Sequence, residues 1–367
     1  MTLRTLLVSI ACVYLLGNIS HAVFLQKTVY GDGIYYFSWL RSLVIEHNIN
    51  FTGEYNRLGG NQPYLQDRMP ANKYSIGPAL LWTPGYISIH RFIRGDGYSF
   101  PYQLTVSVAS VCAALFGLII LTRLTRDKSS TIMIVLLLLA FATNLFFYGS
   151  VDTVNSHAVT FFWASVFVVF LAVKPIPWMA AGLALGALSA TRLQDMLSIL
   201  LVLPYLKTMN KKAFFAGLSI AFAPQIIVWY LLYGSLVNPY LLGGEGFNVF
   251  SPHILGVLFG KENGLFLWTP VVFLGLIGLF LKRKTYFLPL IIIFLQIYLV
   301  STWSTWWQGA SYSGRMFVGI LPLIYLGLVE TVAPFSRIVK SEQTIFVLAL
   351  SLCGINTLLI ISFLLLH

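Results

Sequence analysis

Ser75-Ile76-Gly77-Pro78-Ala79-Leu80-Leu81-Trp82-Thr83-Pro84-Gly85-Tyr86-Ile87-Ser88-Ile89-His90-Arg91-Phe92 decides how the rest of the chain is laid out. The stretch is apolar enough to be a membrane span, yet it carries Pro78 and Pro84 and ends in His90, Arg91 and Arg94. If it crossed a bilayer, every later loop would change sides. Basic side chains in short loops decide the matter, because they stay cytoplasmic. With an inside N-terminus and no crossing, Arg123, Arg126, Lys128, Lys174, Lys207, Lys211, Lys212, Lys282, Arg283, Lys284, Arg337 and Lys340 all fall on the cytoplasmic side. The stretch 75–92 therefore reads as a re-entrant or interfacial element. The polar segment around it, from Gln26 to Phe100, then faces outward.

The remainder of the chain supports a membrane setting. Of its 367 residues, 58% are hydrophobic and only 10% charged, with a mean hydropathy of +0.82. A soluble domain averages about 25% charged residues. The net charge of +11 sits in short clusters between apolar runs. That pattern encodes membrane topology and excludes a nucleic-acid face. Cys12, Cys112 and Cys353 lie inside apolar runs without paired or metal-ligand spacing, and read as core residues.

A helix needs about 20 mostly apolar residues to cross the hydrocarbon. Candidate spans are 4–25, 101–122, 131–149, 157–173, 176–191, 193–206, 213–233, 264–281, 285–302, 315–333 and 343–366, eleven in all. Arg4, an apolar run and Ser20-His21-Ala22 faintly resemble a secretory signal, but the run reads as an uncleaved first span. The expected architecture is an all-α polytopic membrane protein with a single transmembrane domain over 1–367 and no separate soluble domain. Its first outward loop, 26–100, carries interfacial helices, and a further outward loop covers 234–262. Ile34, Phe37, Leu40 and Val44 recur at helical spacing, with Ser38, Arg41 and Glu46 on another face. They predict a helix lying on the membrane surface with its apolar stripe in lipid. Residues 48–74 read as a loop. There is no internal repeat.

Polar residues of unusual kind collect on the outward side. Asp32, between Gly31 and Gly33, serves either as a helix N-cap or as a general base; residue type alone admits both. Lys73, with Tyr74, either snorkels to the interface or meets an anionic phosphate as a point charge. Trp303, Trp306 and Trp307 suit an interfacial belt. The small residues that follow them lead into Arg315, whose guanidinium fork matches phosphate geometry, the reading favoured here over a structural ion pair. Asp152 and His157 are too few to make a metal site, and Asp152 suits capping of the next helix. Arg192 and Asp195 are three apart on one helical face and predict a mutual pair. Gly243-Gly244-Glu245-Gly246 reads as a mobile loop, with a lid role open to it.

Three motifs carry a resemblance: Asp32 in the first outward loop, Asn72-Lys73-Tyr74 leading to Gly77-Pro78, and Trp306-Trp307-Gln308-Gly309-Ala310-Ser311-Tyr312 leading to Arg315. Together they resemble bacterial membrane glycosyltransferases of the GT-C superfold, the superfamily of protein mannosyltransferases and aminoarabinose transferases. Gly264-Leu265-Phe266-Leu267-Trp268-Thr269-Pro270 is similar to a recurrent segment in such proteins. The resemblance implies a GT-C-like bundle in the bacterial cytoplasmic membrane, with its site facing the periplasm or exterior. It implies a polyprenyl-phosphate-linked sugar donor and a glycan, lipid or protein acceptor. Asp32 would deprotonate the acceptor, with inversion at the sugar carbon, and Arg315 and Lys73 would steady the leaving phosphate. Tyr35, Tyr36, Tyr74, Asp152, His157, Arg192, Trp306 and Trp307 would line the substrate. No cofactor is implied: Asp32 is followed by Gly33, so the adjacent Asp-Glu pair of protein O-mannosyltransferases is not matched. A flippase or transporter of lipid-linked sugars would use the same arginine and aromatic walls. It would also carry paired repeats and polar or broken helices at mid-membrane.

Overall fold

The computed structural model describes residues 2–62, 70–125, 130–236, 239–242, 244–339 and 341–366. Among these, regular structure is helical apart from single bridges, such as that between Phe247 and Trp303. In chain order the α-helices are α1 (Leu3–Leu25), α2 (Gly33–Arg41), α3 (Thr52–Leu58), α4 (Gly77–Ile93), α5 (Phe100–Leu121), α6 (Ser130–Phe141), α7 (His157–Ala172) and α8 (Trp178–Thr191). They continue with α9 (Lys211–Tyr233), α10 (Pro239–Leu242), α11 (Ile254–Phe259), α12 (Leu265–Trp268), α13 (Pro270–Leu281), α14 (Phe287–Thr302), α15 (Leu321–Val339) and α16 (Glu342–Leu366). Tighter 3-10 turns cover Leu193–Tyr205 and Arg315–Ile320, and wider π turns cover Ser42–Glu46 and Phe147–Val151.

Helix occupies each apolar run read from the sequence. Among the described residues, five helical stretches are long and apolar enough to cross a membrane: Leu3–Leu25, Phe100–Leu124, Lys211–Tyr233, Arg315–Ser336 and Glu342–Leu366. Shorter apolar helices of 10–17 residues fill the other runs. Large apolar side chains such as Leu16, Ile220, Phe294 and Leu358 stand exposed on the outside of the bundle. Water penalises such a surface and lipid does not. The chain is a membrane-embedded helical protein.

The central packing uses small residues to bring backbones together. A Cβ added to Gly278 on α13 would lie 1.9 Å from the Gly327 carbonyl oxygen on α15. Gly278→Val must therefore push two backbones apart, and is expected to destabilise the fold by about 1–3 kcal/mol. The readout is the thermal unfolding midpoint in detergent. A wild-type midpoint would show that the crossing tolerates separation.

The polar excursion leaves and returns at one end of the bundle. The backbone N–H groups of Thr28 and Val29 both donate to Gln103 Oε1, at 3.0 and 3.1 Å, so the end of α1 sits beside the start of α5. Between them α4 is a single continuous helix, with Pro78 in its first turn, where the missing N–H is harmless. It lies along α5, its Trp82 indole donating to Ser110 Oγ at 2.9 Å. Asn18 on α1, Ser107 on α5 and Thr153 form a buried hydrogen-bonded triangle, with bonds of 2.6–3.2 Å. Ser107 lies seven residues into α5, so the loop bearing Thr153 dips about 10 Å below the end of that helix.

Several expectations are corrected. The 34–47 segment does not float its apolar stripe in lipid. Ile34, Phe37 and Leu40 are buried against Phe51, Trp82, Tyr86 and Tyr102, because α3 and α4 fold over α2. Ser38 and Arg41 of its polar face are buried too, while Glu46 stays exposed: Arg41 is 8% exposed, pairs with Glu54 and Glu46 at 2.7 Å each, and lies against the Tyr98 ring. Residues 48–74 and 234–262 are not plain loops, since they hold α3, α10 and α11. Cys353 is buried, but Cys12 is exposed on the outer face of α1. Arg126, Lys128, Lys340, residues 63–69 of the first loop and Gly243 lie outside the described residues.

Candidate functional site

Two glycines set the site. At Gly33 a Cβ would lie 2.4 Å from the Val154 carbonyl oxygen, so the first turn of α2 rests directly on the 152–156 loop. At Gly77 it would lie 2.5 Å from the Ala190 carbonyl oxygen and 2.6 Å from the Thr191 nitrogen. The start of α4 thus rests on the end of α8. These contacts bring the residues before each glycine, Asp32 and Lys73-Tyr74, toward Asp152 and Arg192.

Asp32 stands at the N-cap position of α2 but makes no capping bond. Its Oδ2 instead accepts from Arg315 Nη1 at 2.6 Å, and its Oδ1 from the Tyr74 hydroxyl at 2.8 Å. The pair spans 283 residues of sequence. Its side chains keep 31% and 24% of their surface accessible, enough for a substrate to reach them. Tyr74 stacks on Tyr35, with centroids 4.6 Å apart and planes 4° from parallel, and meets the edge of Tyr36 at 5.2 Å. Asn72 holds this stack, donating to the Tyr35 carbonyl and accepting from the Tyr74 N–H. Burial and the Asp32 carboxylate push the Tyr74 phenol well above its ordinary range, so it remains a donor.

Asp152 does not cap α7; Asn155 does, its Oδ1 accepting the His157 N–H at 2.9 Å. Burial and the neighbouring Asp32 push the Asp152 carboxyl up to about 6, against the opposing pull of Arg315, Asn155 and Tyr30. The folded chain holds this proton more tightly than the unfolded chain. Stability should therefore fall as pH rises from the ordinary value of 3.8 through about 6. The loss is on the order of 3 kcal/mol. Unfolding midpoints of wild type and Asp152→Asn should diverge across that window, the variant staying flatter. Parallel curves would remove Asp152 from the pH response.

The remaining predicted residues divide. His157 is buried beneath Tyr148, ring centroids 4.4 Å apart, and its Nδ1 faces Arg192 Nη1 at 3.1 Å. The expected Arg192–Asp195 pair is absent. The break after α8 starts a 3-10 helix, and Asp195 turns into the bundle to accept from Gln296 at 2.8 Å. Lys73 pairs with Glu245 at 2.5 Å. Glu245 also accepts from the Trp303 indole at 2.8 Å, which ties down the loop read as mobile. Trp306 stacks on His253 at 4.6 Å and meets Trp307 edge-on. They wall a second hollow with Gly256, Lys261, Asn263 and Gln308, displaced from the Asp32–Arg315 pair. Sequence reading missed Tyr30, Ser156, Glu245 and Met316 as neighbours. Only Glu245 carried a signal, as a carboxylate in a glycine-rich loop.

No protein-family model, curated protein or solved structure matches this chain. The geometry therefore stands by itself: an accessible carboxylate, a fixed guanidinium and a phenol donor meet where the start of α2, the segment before α4 and the start of the 315–320 turn come together.

Proposed function

We propose that the chain is an inverting membrane glycosyltransferase that uses a polyprenyl-phosphate-linked sugar, working on the extracytoplasmic side of a bacterial cytoplasmic membrane. The observation that carries this reading is the Asp32–Arg315–Tyr74 constellation. Each Asp32 oxygen accepts one hydrogen bond and retains lone-pair capacity for an incoming hydroxyl. Asp32 takes the proton of the acceptor hydroxyl. The acceptor oxygen attacks the anomeric carbon from the face opposite the phosphate, and the bond from that carbon to the phosphate oxygen breaks. The departing phosphate gains a negative charge, which Arg315 is placed to meet. Lys73, neutralised by Glu245, is a latch for the 244–247 loop in this scheme and not a phosphate ligand. This reading takes the eleven-span layout expected from the sequence, in which the Asp32–Arg315 pair faces outward, where such a lipid is presented.

The test uses purified protein in lipid nanodiscs with radiolabelled polyprenyl-phosphate sugars and a panel of hydroxyl acceptors. Label should appear on an acceptor with stoichiometric release of polyprenyl phosphate. Label that changes leaflet without changing its covalent partner would replace this reading with a flippase.

A further inference from the structure

Among the described side chains, each of the other lysines and arginines that is withdrawn from the surface has a carboxylate. Arg41 has Glu54 and Glu46, Lys73 has Glu245, and Arg315 has Asp32. Arg192 has none within 4.0 Å among the described residues. Its guanidinium is held by neutral acceptors: Ser156 Oγ at 3.2 Å, His157 Nδ1 at 3.1 Å and the Met316 sulfur. Its Nε is buried with no partner. A partly buried cation without a contacting counter-ion is costly to keep, and the candidate that sequence offers, Asp195, bonds Gln296 and reaches Arg192 only as a longer-range charge.

The clamp on Arg192 is built with care. A guanidinium has no lone pair to offer, so His157 must accept through Nδ1 and keep its proton on Nε2. The ring is pinned by Tyr148, and its backbone by Asn155. The Met316 contact puts Arg192 next in space to the residue that follows Arg315. Tyr36 lies beside Ser156 and in the fields of Arg192, Asp32 and Arg315 together.

We propose that Arg192 is the second cation of the donor-phosphate site, and that a lipid-linked phosphate supplies the anion it lacks. This rests on the glycosyltransferase reading above. The charges balance through the reaction. A sugar–phosphate–prenyl diester carries one negative charge, which matches Arg192 while Arg315 stays with Asp32. When the sugar–oxygen bond breaks, the phosphate gains a second negative charge. In the same step Asp32 gains the acceptor's proton and becomes neutral, which releases Arg315 to that phosphate.

Farnesyl phosphate is the probe, with farnesol as the control lacking the anion, and binding is measured to the full chain in nanodiscs. Arg192→Gln is expected to weaken farnesyl phosphate by about 10- to 100-fold and to leave farnesol unchanged. Arg192→Lys keeps the charge and loses the fork, and should weaken the phosphate by about 3- to 10-fold. It serves as the folded variant if Arg192→Gln is unstable. Wild-type affinity for farnesyl phosphate in whichever variant folds overturns the proposal. An equal loss for farnesol overturns it too, making Arg192 a structural brace. If wild type itself fails to prefer farnesyl phosphate over farnesol, it is the lipid-phosphate reading that falls.

Discussion

Asp32→Asn is expected to lower the rate of sugar transfer by about 10²–10⁴-fold, the usual worth of a positioned base. The substitution is a clean one. An asparagine carbonyl still accepts a hydrogen bond from Tyr74 or Arg315, so the recess should keep its shape, but the amide cannot take up the acceptor's proton. Folding is checked by the thermal unfolding midpoint, and donor binding by the farnesyl phosphate assay. Loss of rate with both retained is the predicted result. Transfer at the wild-type rate would remove Asp32 from the chemistry and leave its contacts with Arg315 and Tyr74 as mere cross-links between segments.

Arg315→Gln is expected to cost about 10²–10³-fold in kcat, as removal of one fixed charge-stabilising donor does. Two effects add here. The leaving phosphate loses the group that meets its second charge, and Asp32 loses a bond of 2.6 Å. Because Asp32 keeps 31% of its side chain accessible, water can replace part of that bond, so the fold should survive. The signature is a larger loss in kcat than in donor affinity. A pure affinity loss would place Arg315 in ground-state binding only. An unchanged rate would exclude it from the transition state.

Helix placement was legible because apolar run length is a strong signal and the bundle keeps each run helical. Asp32 and Arg315 were legible as unusual polar groups at the ends of such runs. Their meeting rests on tertiary contact, and no local pattern encodes a bond across 283 residues. Errors cluster where a second layer of protein replaces lipid. The stripe of Ile34, Phe37 and Leu40 has the same spacing whether it faces lipid or Trp82, and only α3 and α4 settle which. The Lys73–Glu245 bond, 172 residues apart, was invisible for the same reason. The Arg192–Asp195 pairing failed because a helical face was assumed through Arg192, where the backbone is extended (φ −147°, ψ 111°) between α8 and the 3-10 turn, so the two residues do not share a face.

The separation of the two central charges along the chain also orders the protein's manufacture. At about 5–20 residues per second, a ribosome that has made Asp32 needs roughly 15–60 s more to reach Arg315. Through that interval the early helices are already inserted and the carboxylate has no guanidinium opposite it. A polypeptide stalled anywhere short of Arg315 thus lacks this pair, which forms late in translation rather than accumulating helix by helix.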